Sequence, residues 1–117
     1  MTCNSCQLIA EIRYGSEVSF DAASMMDAAL REQTQVLLAP LGPAYVDVHG
    51  TGDDFGFAAQ VPMWADEDLR AVCSGLAALM DPQARGRLVA VPGGFGPVTV
   101  WRFTTDSLVE EILAQEG

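Results

Sequence analysis

The stretch from Arg87 to Thr104, RLVAVPGGFGPVTVWRFT, constrains this chain most. Two runs rich in β-branched residues, Leu88 to Val91 and Val98 to Phe103, flank Pro92-Gly93-Gly94-Phe95-Gly96-Pro97. Glycines supply the dihedrals of a reversal, and prolines are tolerated at strand ends where no ladder donor is needed. The segment predicts a β-hairpin. If the hairpin closes symmetrically, Val91 faces Val98, Val89 faces Val100, Leu88 faces Trp101 and Arg87 faces Arg102. Alternation along a strand then sorts the side chains into two sets. Val89, Val91, Val98 and Val100 share one face with the two arginines, while Leu88, Ala90, Thr99, Trp101 and Phe103 share the other. Both faces are largely apolar, so each needs a cover.

The remaining segments follow from periodicity. Gln7 to Tyr14 alternates, with Leu8, Ala10, Ile12 and Tyr14 on one side, and predicts a strand with one buried face. Asp21 is the expected N-cap of a helix reaching about Leu38, with Phe20 and Met25 as a hydrophobic staple. The apolar stripe of that helix is expected to hold Ala22, Met25, Met26, Ala29, Leu30, Val36 and Leu37, until Ala39-Pro40-Leu41-Gly42-Pro43 stops it. Tyr45 to His49 and Phe55 to Val61 form a second hairpin across Gly50-Thr51-Gly52-Asp53-Asp54. Asp66 caps a second helix through Met80, whose Leu69, Val72, Cys73, Leu76, Leu79 and Met80 recur at steps of three and four. A last helix is expected over Leu108–Gln115, capped by Thr105 or Asp106.

The element order β-α-β-β-α-β-β-α, over residues 1–117 as one domain, predicts an α+β two-layer sandwich. Its sheet is antiparallel or mixed, with helices on one face. The first six elements resemble a ferredoxin-like βαββαβ layout with a strand and a helix added. Setting the first strand aside instead gives an order that resembles roadblock-type regulatory domains. Both are likenesses of element order alone and assign no family.

Charge narrows the partners. Sixteen acids stand against six arginines and no lysine, a net charge of −10. Such a surface repels phosphate backbones, so no direct nucleic-acid binding is expected. The missing lysine excludes Walker-type phosphate loops, Schiff-base chemistry and a pyridoxal phosphate anchor. No apolar run approaches the roughly 18 to 20 residues that span a bilayer, and the first residues lack a basic, hydrophobic leader. The expectation is a cytoplasmic protein with reduced thiols and no membrane partner.

Few residues carry chemistry. Cys3-x-x-Cys6 has the spacing of half a zinc site, which Cys73 and the single histidine, His49, would complete. Against it, Cys73 falls within an apolar helical stripe and is expected in the core, while Cys3 and Cys6, at a terminus, are expected to be idle. Asp47-x-His49, with Asp53 and Asp54 in the adjoining loop, is an acid–base or hard-metal candidate, although no nucleophile lies in sequence reach. Gly50-x-Gly52 and Gly93-Gly94-x-Gly96 lack the following helix of a dinucleotide fingerprint and are turn chemistry. No cofactor is expected. Arg87 and Arg102, opposed on one ladder, repel each other unless acids such as Glu11 or Asp47 neutralise them or an anionic ligand does.

These readings favour a non-enzymatic regulatory or adaptor domain acting through protein–protein association. It is expected to be a homodimer or to bind an unidentified protein through an open sheet face around Tyr45 and the Trp101 hairpin. The residues expected at partner or ligand contacts are Tyr45, Asp47, His49, Arg87, Trp101 and Arg102. One alternative is a small metal-binding or metal-dependent module using Asp47 and His49, or Cys3 and Cys6. The other is an acidic inhibitor mimicking nucleic acid.

Overall fold

Period-two burial organises the molecule. In the computed structural model, which describes residues 5–50, 52–62, 64–93 and 97–113, Leu8, Ala10 and Ile12 of β1 (Cys6–Arg13) are buried while Gln7, Ile9 and Arg13 are exposed. The same alternation runs through β3 (Asp54–Val61), β4 (Arg85–Pro92) and β5 (Val98–Phe103), and more weakly through β2 (Tyr45–Gly50). Together with β6 (Leu108–Leu113) they form one antiparallel sheet in the order β2-β3-β1-β4-β5-β6.

Two helices, α1 (Phe20–Leu38) and α2 (Asp66–Ala77), pack over the buried face. Met26, Leu30 and Leu38 from α1 and Leu69, Val72, Cys73 and Leu76 from α2 meet Leu8, Ile12, Phe55, Phe57, Leu88, Trp101 and Phe103 from the sheet. Each large side chain buried this way contributes about 1.5–3 kcal/mol, enough for a core without a disulfide or a metal. The class is therefore α+β.

The β4–β5 register follows the sequence reading, with Arg87 opposite Arg102, Leu88 opposite Trp101 and Val89 opposite Val100. Residues 94–96 of its loop lie outside the described residues. Close packing fixes one glycine in this hairpin: a Cβ on Gly86 would collide with the Phe103 ring, which crosses the space opposite it.

Three sequence expectations are corrected. The segment expected as a closing helix is β6 over its described part, and residues 114 and 115 lie outside the described residues. Asp106 caps no helix. Its amide donates to Thr104 Oγ1 (3.2 Å), the Thr104 amide donates to the Ser107 carbonyl (2.9 Å), and this turn lays β6 on the free edge of β5. In α1 the cap is Ser19, whose Oγ accepts from the Ala22 amide at 3.1 Å. Phe20 and Met25 are 80% and 75% exposed, so no staple forms, and the buried stripe is Ala23, Met26, Leu30, Thr34 and Leu38. Finally, α2 ends at Ala77, and its N-cap is Ala65, whose amide donates to Asp68 Oδ2 at 3.1 Å.

Candidate functional site: the open sheet face

The helices leave one face of the sheet bare, and the register dictates what it displays. Neighbouring strands align Tyr45, Gln60, Gln7 and Val91 in one row. Asp47, Ala58, Ile9, Val89, Val100 and Glu111 make the next, then His49, Gly56, Glu11, Arg87, Arg102 and Val109. Asp54, Arg13 and Arg85 start a fourth. The face is thus aliphatic in its middle, around Ile9, Val89, Val91, Val98 and Val100, and arginine-rich at one end.

The arginines are neutralised unevenly. Arg87 pairs with Glu11 on the adjacent strand at 3.2 Å, as the sequence suggested. Arg102 pairs with Glu111 rather than Asp47, because Asp47 lies on the far edge strand and Glu111 on the neighbouring one. Arg13 and Arg85 stand directly opposite each other across β1 and β4, and neither makes an ion pair among the described residues. Local sequence gave no signal for this second opposed pair, because only the strand order puts β4 beside β1.

The expected contact residues do not form one patch. Tyr45, Asp47 and His49 share the outward face of edge strand β2, all exposed. The His49 imidazole lies over Gly56, where a Cβ would come within 2.5 Å of Cε1. Arg87 is three strands away from His49, about 14 Å at the usual spacing. Trp101 is wholly buried on the helix side, and its Nε1 donates to Glu110 Oε1 at 3.2 Å, so it takes no part in the open face. The side of the final hairpin turned away from the helices carries the valines and arginines, with Arg87 and Arg102 exposed, Val89, Val91 and Val98 partly so and Val100 buried.

The cysteine reading also changes. Cys3 lies outside the described residues. Cys6 is no terminal bystander: it is a buried β1 residue opposite Val61 and Pro92. Burial pushes its thiol up to about 11, partly offset by a backbone hydrogen bond from Val91. Cys73, buried as expected, is pushed up to about 12 by desolvation. Both thiols are neutral at physiological pH, and neither is a ready thiolate ligand or nucleophile. Among the described residues no three of His, Cys, Asp and Glu stand together as a metal site.

A polar network spans the other side of β1. The Tyr14 hydroxyl donates to Asp27 Oδ1 at 2.8 Å, and Arg31 Nε bonds Asp27 Oδ2 at 2.7 Å. Burial, reinforced by the hydrogen bond to Asp27, raises the Tyr14 pKa. This network ties α1 to the end of β1 and is fully accounted for by that packing.

Edge strand β6 is the feature that sequence reasoning missed altogether. Leu108, Val109, Ile112 and Leu113 are 39–59% exposed, four of the nine large hydrophobic residues exposed among those described. No family model, curated protein or solved structure matches this chain.

Proposed function

We propose that the chain is a non-enzymatic regulatory or adaptor domain that works by association, and that its first partner is a second copy of itself. The observation that carries this reading is β6. An edge strand offers unpaired backbone donors and acceptors, and proteins ordinarily guard such edges with lysine, proline or outward charge. Here the edge is LVEEIL, and both glutamates are engaged by partners within the chain. Glu110 accepts from Trp101 and pairs with Arg70 at 2.9 Å, and Glu111 pairs with Arg102.

Antiparallel pairing of β6 with its own copy about a two-fold axis normal to the sheet sets Leu108 against Ile112 of the copy. Glu110 falls on that axis. Like charges meeting there are disfavoured in general. In this chain each Glu110 brings its own Arg70, which leaves the strand free to pair. The result is a continuous twelve-stranded sheet with all four helices on one side and an open face twice as wide for further partners.

The same placement supports a ferredoxin-like reading of the first six elements, with β1 and β3 central, β4 and β2 flanking them, and β5–β6 as an extension. A roadblock-like reading draws no support, because it sets aside β1, which is paired on both sides. In the same way a nucleic-acid mimic needs a continuous acidic surface, and the open face carries four arginines instead. Cytoplasmic residence accords with the reduced buried thiols, and no described helix is long and apolar enough to cross a membrane.

Light scattering after size exclusion at micromolar concentration tests the proposal. The expected mass is twice the 12.5 kDa of one chain. Ile112→Lys should return the monomer with the melting temperature held, since Ile112 is exposed, whereas Tyr45→Glu on the opposite edge should leave the dimer intact. A monodisperse wild-type monomer overturns the reading.

A further inference from the structure

Four of the six arginines are consecutive neighbours at one end of the open face. Arg13 opposes Arg85 across β1 and β4, Arg85 and Arg87 are two residues apart on β4, and Arg87 opposes Arg102 across β4 and β5. At strand geometry each guanidinium stem is about 5 to 7 Å from the next. They border a cavity of about 470 Å³ together with Glu11 and Thr104.

In a chain with ten excess negative charges this cluster runs against the overall sign. Glu11 and Glu111 occupy Arg87 and Arg102, whereas Arg13, with Asp54 opposite it on β3, and Arg85 make no ion pair among the described residues. Two like charges directly opposite on a ladder destabilise each other, and an anion held between them removes that repulsion.

We propose that this cavity binds a small phosphate monoester, its phosphoryl group held between Arg13 and Arg85. A carboxylate brings one negative charge to two guanidiniums that make no ion pair among the described residues. A phosphomonoester is close to a dianion above its second pKa of about 6, and its three terminal oxygens accept from two guanidinium forks at once. The cavity is larger than a phosphoryl group and falls within the range of roughly 300–1,000 Å³ typical of small-molecule sites. The exposed Val109 on its border offers apolar contact to the organic part of the ester. The negative charge of the rest of the molecule works against long-range capture, so recognition rests on these short-range forks.

The test is a titration of the full chain with inorganic phosphate, glycerol 2-phosphate and acetate, at matched ionic strength and slightly alkaline pH. Amide NMR shifts and melting temperature are the readouts. Both phosphates should move the amides of Arg13, Arg85 and Gly86 and raise the melting temperature, with glycerol 2-phosphate the tighter and acetate without effect. The double variant Arg13→Gln/Arg85→Gln should weaken binding at least about tenfold. Without ligand it should melt at or above the wild-type temperature, because a like-charge contact is gone. Ile112→Lys should bind as the wild type does, which separates this site from the edge-strand association. Equal response to acetate, no response to either phosphate, or full binding by the double variant overturns the proposal.

Discussion

At the scale of single residues, the core contains one side chain out of place. Thr34 lies 1% exposed on the buried line of α1, between Leu30 and Leu38, and its Oγ1 has no hydrogen-bond partner among the described residues. A buried hydroxyl without a partner is destabilising, and valine keeps the same branched shape without it. Thr34→Val should therefore raise the unfolding free energy by about 1 kcal/mol. A urea titration reads this directly, and a lower midpoint would mean that the hydroxyl is satisfied. The sequence held this line as steps of three and four from Ala23 to Leu38, yet a polar residue in it drew the apolar stripe toward Met25 and Val36, both exposed. Arg87 opposite Arg102 was legible because a single hairpin sets that pair. Arg13 opposite Arg85 was not, because those residues are far apart in sequence and only the assembled sheet joins them.

At the scale of elements, helix starts and edge strands show where local pattern stops deciding. Both Ser19 and Asp21 are good caps by type, but the Ala22 amide meets the Ser19 hydroxyl, and Asp21 is already inside the first turn. Ser19→Ala should cost about 1 kcal/mol, and Asp21→Ala only a few tenths through the helix dipole. Thermal melts of the two variants should rank in that order, and the reverse ranking would return the cap to Asp21. The last element failed for a different reason. Leu108, Val109, Ile112 and Leu113 fit one stripe of a helix and equally the two faces of a strand. What settles it lies outside the segment: the Thr104–Ser107 turn and an unoccupied β5 edge.

At the scale of the whole molecule, the strand order β2-β3-β1-β4-β5-β6 places β1 at the heart of the sheet, and one core gathers titratable groups from distant parts of the chain. Cys6 comes from β1, Cys73 from α2 and Tyr14 from the end of β1, all buried and all raised in the same direction. Each is neutral when protonated, so the folded state holds its proton to higher pH than the unfolded chain does. Their contribution to stability is complete below the ordinary thiol value of 9.0. It falls as pH rises through about 11 for Cys6 and about 12 for Cys73, with Tyr14 adding to the loss above 10.0. From 9.0 to about 11 and about 12, at about 1.36 kcal/mol per pKa unit, the two thiols together are worth on the order of 7 kcal/mol, comparable to the whole stability of a small domain. The protein should therefore unfold in alkali as a single cooperative unit. Melting temperature followed from neutral pH to pH 11 should fall steeply above 9 for the wild type. Cys6→Ala/Cys73→Ala should start lower, because two core side chains are truncated, and then decline far less. An equal decline in the double variant would move the alkaline lability out of the core and onto the excess negative charge of the surface.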